Sequence, residues 1–74
     1  MSIEIELFGQ LLPSAQRRQM LIMKRPLLVQ EIANTLGLKL EEVGLITIDG
    51  VQSEKESSVK PGSRLCFFPP MSGG

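Results

Sequence analysis

The 74-residue sequence contains no histidine and only one cysteine, Cys66. Histidine is the commonest metal ligand and the commonest general base, so its absence excludes a Cys/His metal site and a Ser-His or Cys-His nucleophile pair within this chain. A single thiol cannot form an internal disulfide, which fits a reducing cytoplasm better than a secreted disulfide scaffold. We therefore expect a cytoplasmic protein with no metal site.

The sequence also lacks an excess of either charge, because eight basic residues balance eight acidic ones. Nucleic-acid binding relies on surplus lysine and arginine to pair with phosphates, so we expect no nucleic-acid partner. The basic cluster Arg17, Arg18, Lys24 and Arg25 is interpreted as part of a solvated hairpin. Every apolar run is short, so we expect no signal peptide, no membrane span and no membrane partner.

Two patterns predict the first half of the fold. From residue 2 to residue 8 the apolar side chains alternate with polar ones, which predicts a strand with one buried face and leaves the aromatic Phe8 on the other face. Residues 19–24 predict a second, antiparallel strand that ends at Pro26. A helix follows, because its apolar positions share one face and Gly37 is a typical C-terminal cap. These helix positions are Val29, Ile32, Ala33 and Leu36.

The second half of the sequence predicts two strands that are separated by a polar segment. Residues 45–48 predict a compact strand, and Asp49-Gly50 is a turn dipeptide. Residues 51–59 are polar and are interpreted as surface. After the Pro-Gly turn at 60–63, residues 64–68 predict the last strand, with Phe67 on one side and Phe68 on the other.

This order of elements predicts an α+β fold in which one main helix covers one face of a mixed four- to five-stranded sheet. The first and last strands are expected to be central and parallel. Phe8 and Phe68 then lie on neighbouring strands on the face away from the helix, and we expect them to form an exposed apolar partner surface. The alternative is that the loop 9–16 covers one or both rings. Met20 and Ile22 could extend this surface, although core positions are the preferred interpretation.

Two further features receive plain interpretations. Cys66 is interpreted as a small strand residue rather than a redox centre, because only Arg64 lies near it in sequence to favour a thiolate. Glu4 and Glu6 share one strand face about 7 Å apart, and without a pocket we interpret them as solvated rather than as an acid/base dyad.

The last six residues, Pro69-Pro70-Met71-Ser72-Gly73-Gly74, form an unusual ending. Two prolines stiffen the segment, and two glycines carry no side chain. Fully extended, these residues could reach roughly 20 Å. We therefore divide the chain into a folded domain, residues 1–68, and an extended and flexible tail, residues 69–74, whose terminal carboxylate suits a narrow enzyme channel.

The element order together with this ending resembles the ubiquitin-like β-grasp sulfur carriers. The residues 67–74, Phe-Phe-Pro-Pro-Met-Ser-Gly-Gly, closely match the ending of the small subunit of molybdopterin synthase. The helix around Val29–Gly37 and the Asp49-Gly50 turn also match the family. The first loop lacks the arginine-containing helical segment common in that subunit, and the middle of the chain is at least as similar to the thiamin-pathway sulfur carrier.

The resemblance implies a role for each tail residue. Gly74 would carry the reactive carboxylate, which an activating enzyme adenylates with ATP and which sulfur then converts to a thiocarboxylate. Gly73 would allow close approach, and residues 69–72 would act as a stalk. The chain would bind no cofactor and would not be an enzyme. Its partners would be the activating enzyme and the molybdopterin synthase large subunit.

Three functions fit such a tail. The first is sulfur donation in molybdopterin biosynthesis, for either the molybdenum or the tungsten cofactor. The second is a thiamin-pathway carrier, and the third is a ubiquitin-like modifier joined to other proteins through Gly74.

Overall fold

The structure is a computed structural model that describes residues 1–12 and 16–71. Within these residues the chain forms seven strands, one α-helix and one short 3₁₀ helix. They are β1 (Ser2–Leu7), β2 (Arg18–Ile22), β3 (Leu27–Leu28), α1 (Val29–Leu36), the 3₁₀ helix (Leu40–Glu42), β4 (Leu45–Ile48), β5 (Val51–Ser53), β6 (Ser58–Val59) and β7 (Arg64–Phe68). Neither helix within residues 1–12 and 16–71 has the length and apolar character of a membrane span.

Five of the strands form one mixed sheet in the order β2-β1-β7-β4-β5. Strands β1 and β7 are parallel neighbours, with Ile5 opposite Leu65, and the other pairs are antiparallel. The prediction that the first and last strands are adjacent and parallel is confirmed. The two predicted boundaries shift slightly, because β2 ends at Ile22 rather than residue 24, and β1 ends one residue before Phe8.

The core lies between one face of this sheet and helix α1. Its most deeply buried side chains leave at most 1% of their surface exposed. Most of them come from β1, β7 and the helix, and they include Ile3, Ile5, Ile32, Leu65 and Phe67. An isolated eight-residue helix is marginal in water, so packing of its apolar face must supply most of its stability. This face holds Val29, Ile32 and Ala33, as the spacing predicts.

The start of the helix is held by the Glu31 side chain and by a neighbouring segment, because the residue at the cap position is a leucine. Leu28 occupies the cap position, and its backbone N–H donates to Glu31 Oε1 at 2.9 Å. The next two N–H groups, of Val29 and Gln30, donate to the carbonyls of Ser57 and Lys55 at 3.0 Å. The first N–H groups of a helix have no hydrogen-bond partner inside the helix. Here the polar segment before β6 supplies carbonyl acceptors for two of these groups.

The interpretation of residues 51–59 as surface is therefore wrong in part. Val51–Ser53 extends the sheet as β5, and Ser58–Val59 pairs with β3, placing Val59 opposite Leu27. Val59 is completely buried. A two-residue strand is too short to show a period of two, so its single buried valine leaves no pattern in the sequence.

Candidate functional site

Phe8 and Phe68 meet on the sheet face away from the helix. Their rings stack with centroids 4.4 Å apart and planes 9° from parallel. The Phe8 N–H donates to the Phe67 carbonyl at 3.0 Å, so the residue after β1 continues along β7. Each ring is half-buried, because stacking covers one side of each. The predicted juxtaposition is confirmed, while the role of the two rings in partner binding stays a prediction.

A third apolar side chain joins this pair. Leu45, at the start of β4, lies directly opposite Phe68 and is 37% exposed. Residues opposite each other in antiparallel strands point to the same face, so Leu45 flanks the aromatic pair. We call these three residues, Phe8, Leu45 and Phe68, the docking patch. In the loop after β1, Leu11 and Leu12 pack against the core.

The middle of the same face is charged. Glu6 is only 7% exposed, so the interpretation of this carboxylate as solvated is wrong. Arg64 from β7 donates a hydrogen bond to it, and Arg18 Nε from β2 lies 3.5 Å from its Oε2. The Arg64 hydrogen bond, and then the charge of Arg18, hold the pKa of Glu6 below its ordinary value despite desolvation. The same hydrogen bond raises the pKa of the Arg64 guanidinium.

Cys66 lies beside Glu6 in the sheet and is 8% exposed, which fits its interpretation as a small strand residue. Two residues of β2 depart from expectation. Met20 and Ile22 are 62% and 81% exposed, because they pair with the polar positions of β1 rather than with Ile3. They lie at the end of the face that is opposite the docking patch, so they do not extend it.

The tail leaves the sheet beside the docking patch. Pro69, Pro70 and Met71 are exposed, and Met71 is 95% exposed. The two prolines lie against the backbones of Gly9 and Gly44. Ser72, Gly73 and Gly74 lie outside the described residues, so their predicted roles stay predictions, as does the domain boundary at residue 68.

Sequence reasoning identified the aromatic pair but missed Leu45, the Glu6 ion pairs and the two glycines. The alternation of side chains along β1 and β7 is sufficient to place both rings on the face away from the core. A leucine that begins a strand, and a glycine just before it, give no signal until the strand order places β4 next to β7. Ion pairing of Glu6 likewise requires the register that brings residue 64 next to residue 6.

The sequence profile of the ThiS family matches residues 5–74. The chain belongs to the ThiS family. The match takes in nearly the whole domain and the complete tail, including Gly73 and Gly74. The resemblance to ubiquitin-like sulfur carriers that the sequence predicts is thereby confirmed.

Two solved structures resemble this ThiS-family chain over the full length of both partners. SAMP1 from Haloferax volcanii superimposes with a TM-score of 0.78 at 22% sequence identity. A chain from the protein–protein complex of subunits 1 and 2 of molybdopterin-converting factor from Helicobacter pylori superimposes with a TM-score of 0.65 at 21% identity. At such identities the likeness shows the fold, which is the predicted β-grasp. Among curated proteins no match is found.

Proposed function

We propose that this ThiS-family protein is a sulfur carrier whose Gly74 carboxylate becomes a thiocarboxylate that donates sulfur in molybdopterin biosynthesis. The observation that carries the proposal is the family match through Gly74, on a chain whose tail begins beside an apolar patch. The pathway assignment rests on the Phe-Phe-Pro-Pro-Met-Ser-Gly-Gly ending and on similarity to a chain of the molybdopterin-converting factor complex.

The chemistry needs an enzyme outside this chain. A carboxylate accepts a sulfur nucleophile poorly, because its leaving group would be oxide or hydroxide. The activating enzyme joins the carboxylate to the α-phosphate of ATP and releases pyrophosphate. A sulfide-level nucleophile of the hydrosulfide class then attacks the acyl-adenylate carbonyl and displaces AMP, which leaves the thiocarboxylate on Gly74. In this scheme the carrier binds no cofactor and acts as a protein substrate and sulfur donor in the cytoplasm.

The docking patch is the surface we assign to the partners. Phe8 and Phe68 lie where β1 and β7 end, next to the start of the tail. An aromatic pair with one side of each ring uncovered can bury large area at little entropic cost. We assign the activating enzyme and a synthase large subunit to this surface in turn, because both must receive the same tail.

The deciding experiment is an intact mass spectrum of the protein isolated from its own cells. Replacement of one terminal oxygen by sulfur identifies a carrier. An unmodified terminus, together with branched peptides on lysines of other proteins in a digest of the same cells, identifies a modifier and contradicts the proposal. Co-purification with a molybdopterin synthase large subunit supports the molybdopterin pathway. The family match favours one alternative pathway, thiamin thiazole formation, and co-purification with thiazole-forming enzymes would establish it instead.

The tail itself is tested with the activating enzyme and ATP. Deleting Gly74, or adding one residue after it, is expected to abolish thiocarboxylate formation while the circular dichroism spectrum stays unchanged. Gly73→Val is expected to block activation without lowering the melting temperature, because a branched side chain restricts φ and ψ and widens the tip. Normal activation of the extended chain would refute the assignment of Gly74.

A further inference from the structure

Gly9 and Gly44 are far apart in sequence, but both lie against the Pro69-Pro70 segment at the base of the tail. We propose that they form a slot that holds Pro69 and Pro70 and thereby sets the direction in which the tail leaves the domain. We call this pair the tail slot. Its two glycines are positioning residues, since they would act on delivery of the terminus without touching the reacting atoms. This delivery role rests on the proposed function, whereas the slot itself does not.

Gly9 forms the first wall of the slot. A Cβ atom built on it would lie 2.7 Å from Cγ and 3.3 Å from Cδ of Pro69, so the proline ring packs directly against the backbone after β1. Gly9 also has a φ of +68°, which disfavours other residues. Two separate requirements therefore select glycine here, and an experiment must separate them.

Gly44 forms the second wall and approaches the backbone of the tail itself. A Cβ atom built on it would lie 2.7 Å from the nitrogen of Pro70 and 2.8 Å from the carbonyl oxygen of Pro69. Its N–H donates to the Phe68 carbonyl at 2.8 Å. Gly44 does not have a positive φ, so the nearness of the tail is the reason for glycine at this position. Because the contact is with backbone, a side chain here must displace the tail.

The tail slot and the docking patch are built from the same three chain segments. Phe8 precedes Gly9, Gly44 precedes Leu45, and Phe68 precedes Pro69. Proline has a fixed φ and restricts the residue before it, so a Pro-Pro pair held on both sides is a stiff base. A partner that binds the docking patch would therefore receive the tail in a set direction. This arrangement lowers the entropy cost of finding the enzyme channel.

The Gly9 contact is tested by a double-mutant cycle. Gly62→Ala is the matched control, because Gly62 has a φ of +83° and a Cβ there meets no atom of the described residues within 4 Å. We expect Gly9→Ala to lower the melting temperature by about 4–8 °C more than Gly62→Ala does. Pro69→Ala removes Cγ and Cδ of the ring, so combining it with Gly9→Ala should abolish this additional loss of melting temperature. Equal losses for the two glycines, or no rescue, would overturn the slot.

The Gly44 contact is tested by amide exchange and by activation. Gly44→Ala should speed hydrogen exchange at the residue 44 amide by at least about 10-fold, because a displaced tail breaks its bond to Phe68. With the activating enzyme, ATP–pyrophosphate exchange should show a lower kcat with KM nearly unchanged, because the docking patch is intact.

The outcomes separate the slot from the proposed function. If the wild-type chain supports no pyrophosphate exchange, the proposed function fails. The Gly9–Pro69 double-mutant cycle and hydrogen exchange at the residue 44 amide then still decide whether the slot exists. If the wild-type chain is activated and Gly44→Ala matches it in both kcat and amide exchange, the slot is refuted. If Gly44→Ala does not fold, the Gly9–Pro69 cycle and the kcat of Gly9→Ala decide.

Discussion

The two faces of the five-stranded sheet are made by the same strands, yet they are organised differently. On the helix face, Ile5, Leu65 and Phe67 are at most 1% exposed and form one continuous apolar core. On the open face the strands carry an ion-pair cluster around Glu6 in the centre, and the docking patch lies at the end where the tail leaves. Burial therefore concentrates stability on the helix face, while the open face leaves the docking patch partly exposed at one end.

The adjacent residues Phe67 and Phe68 give the sharpest test of this division. Phe67→Ala should lower the free energy of unfolding by about 3–5 kcal/mol, because the side chain is completely buried. Phe68→Ala should cost about 1 kcal/mol, since it loses a stacked but half-buried ring. Denaturant melts of the two variants measure both values. A core-sized loss for Phe68→Ala would mean that the open face also carries the stability of the fold.

Partner affinity should depend on the end of the open face that carries the docking patch, even though this end contributes little to stability. Phe68→Ala is expected to weaken binding to the activating enzyme or the synthase large subunit by about 30-fold, which corresponds to about 2 kcal/mol. Titration of the folded variant measures this change. Ile22→Ser, on the same face but at the opposite end, is the matched control and should leave the affinity unchanged. Equal effects of the two substitutions would remove the distinction between the ends of the open face.

The charged centre of the open face should respond to pH. The pKa of Glu6 is lowered in the folded protein, chiefly by the Arg64 hydrogen bond. The ionised carboxylate therefore stabilises the fold at pH values above 4.5, the ordinary pKa of this group. This contribution is lost as the pH falls through the lowered pKa. Thermal melts from pH 7 downward should therefore show a smaller decline for Glu6→Gln than for the wild type.

Glu4→Gln provides the control for that experiment, because Glu4 is exposed on the same strand and the same face. At pH 7 it should lower the melting temperature less than Glu6→Gln does, because the Glu6 carboxylate pairs with Arg18 and Arg64. If Glu6→Gln behaves like Glu4→Gln, the ion pairs of Glu6 contribute nothing measurable to stability.

The smallest effect is expected at the edge of the sheet. Ile22→Ser should change the free energy of unfolding by at most about 0.5 kcal/mol, because Ile22 is 81% exposed. The neighbouring Leu21 packs against the core, and Leu21→Ser should destabilise the protein several times more. Denaturant melts of both variants check this, and a similar loss for the two would mean that β2 is shifted by one residue.

Local periodicity was enough to predict the main helix and four of the sheet strands, because each has a pattern that can be read within a few residues. The helix face of α1 and the alternation in β1 and β7 are such patterns. The short strands β3 and β6 were missed, since two residues cannot display a period and their pairing joins positions about thirty residues apart. Met20 and Ile22 lie in a continuous apolar run, so no alternation marks them as exposed, and only the pairing register with β1 places them on the open face.

The α+β class, the β-grasp resemblance and the opposite faces of Phe67 and Phe68 all follow from the linear sequence. These depend on residue types and short-range spacing, which a linear sequence carries directly. Three contacts become visible only in the folded chain: Phe8 stacks on Phe68, Glu6 is buried between Arg18 and Arg64, and the two prolines lie against Gly9 and Gly44. Each of these contacts joins segments brought together by strand order and register, and register is set by the packing of the whole core.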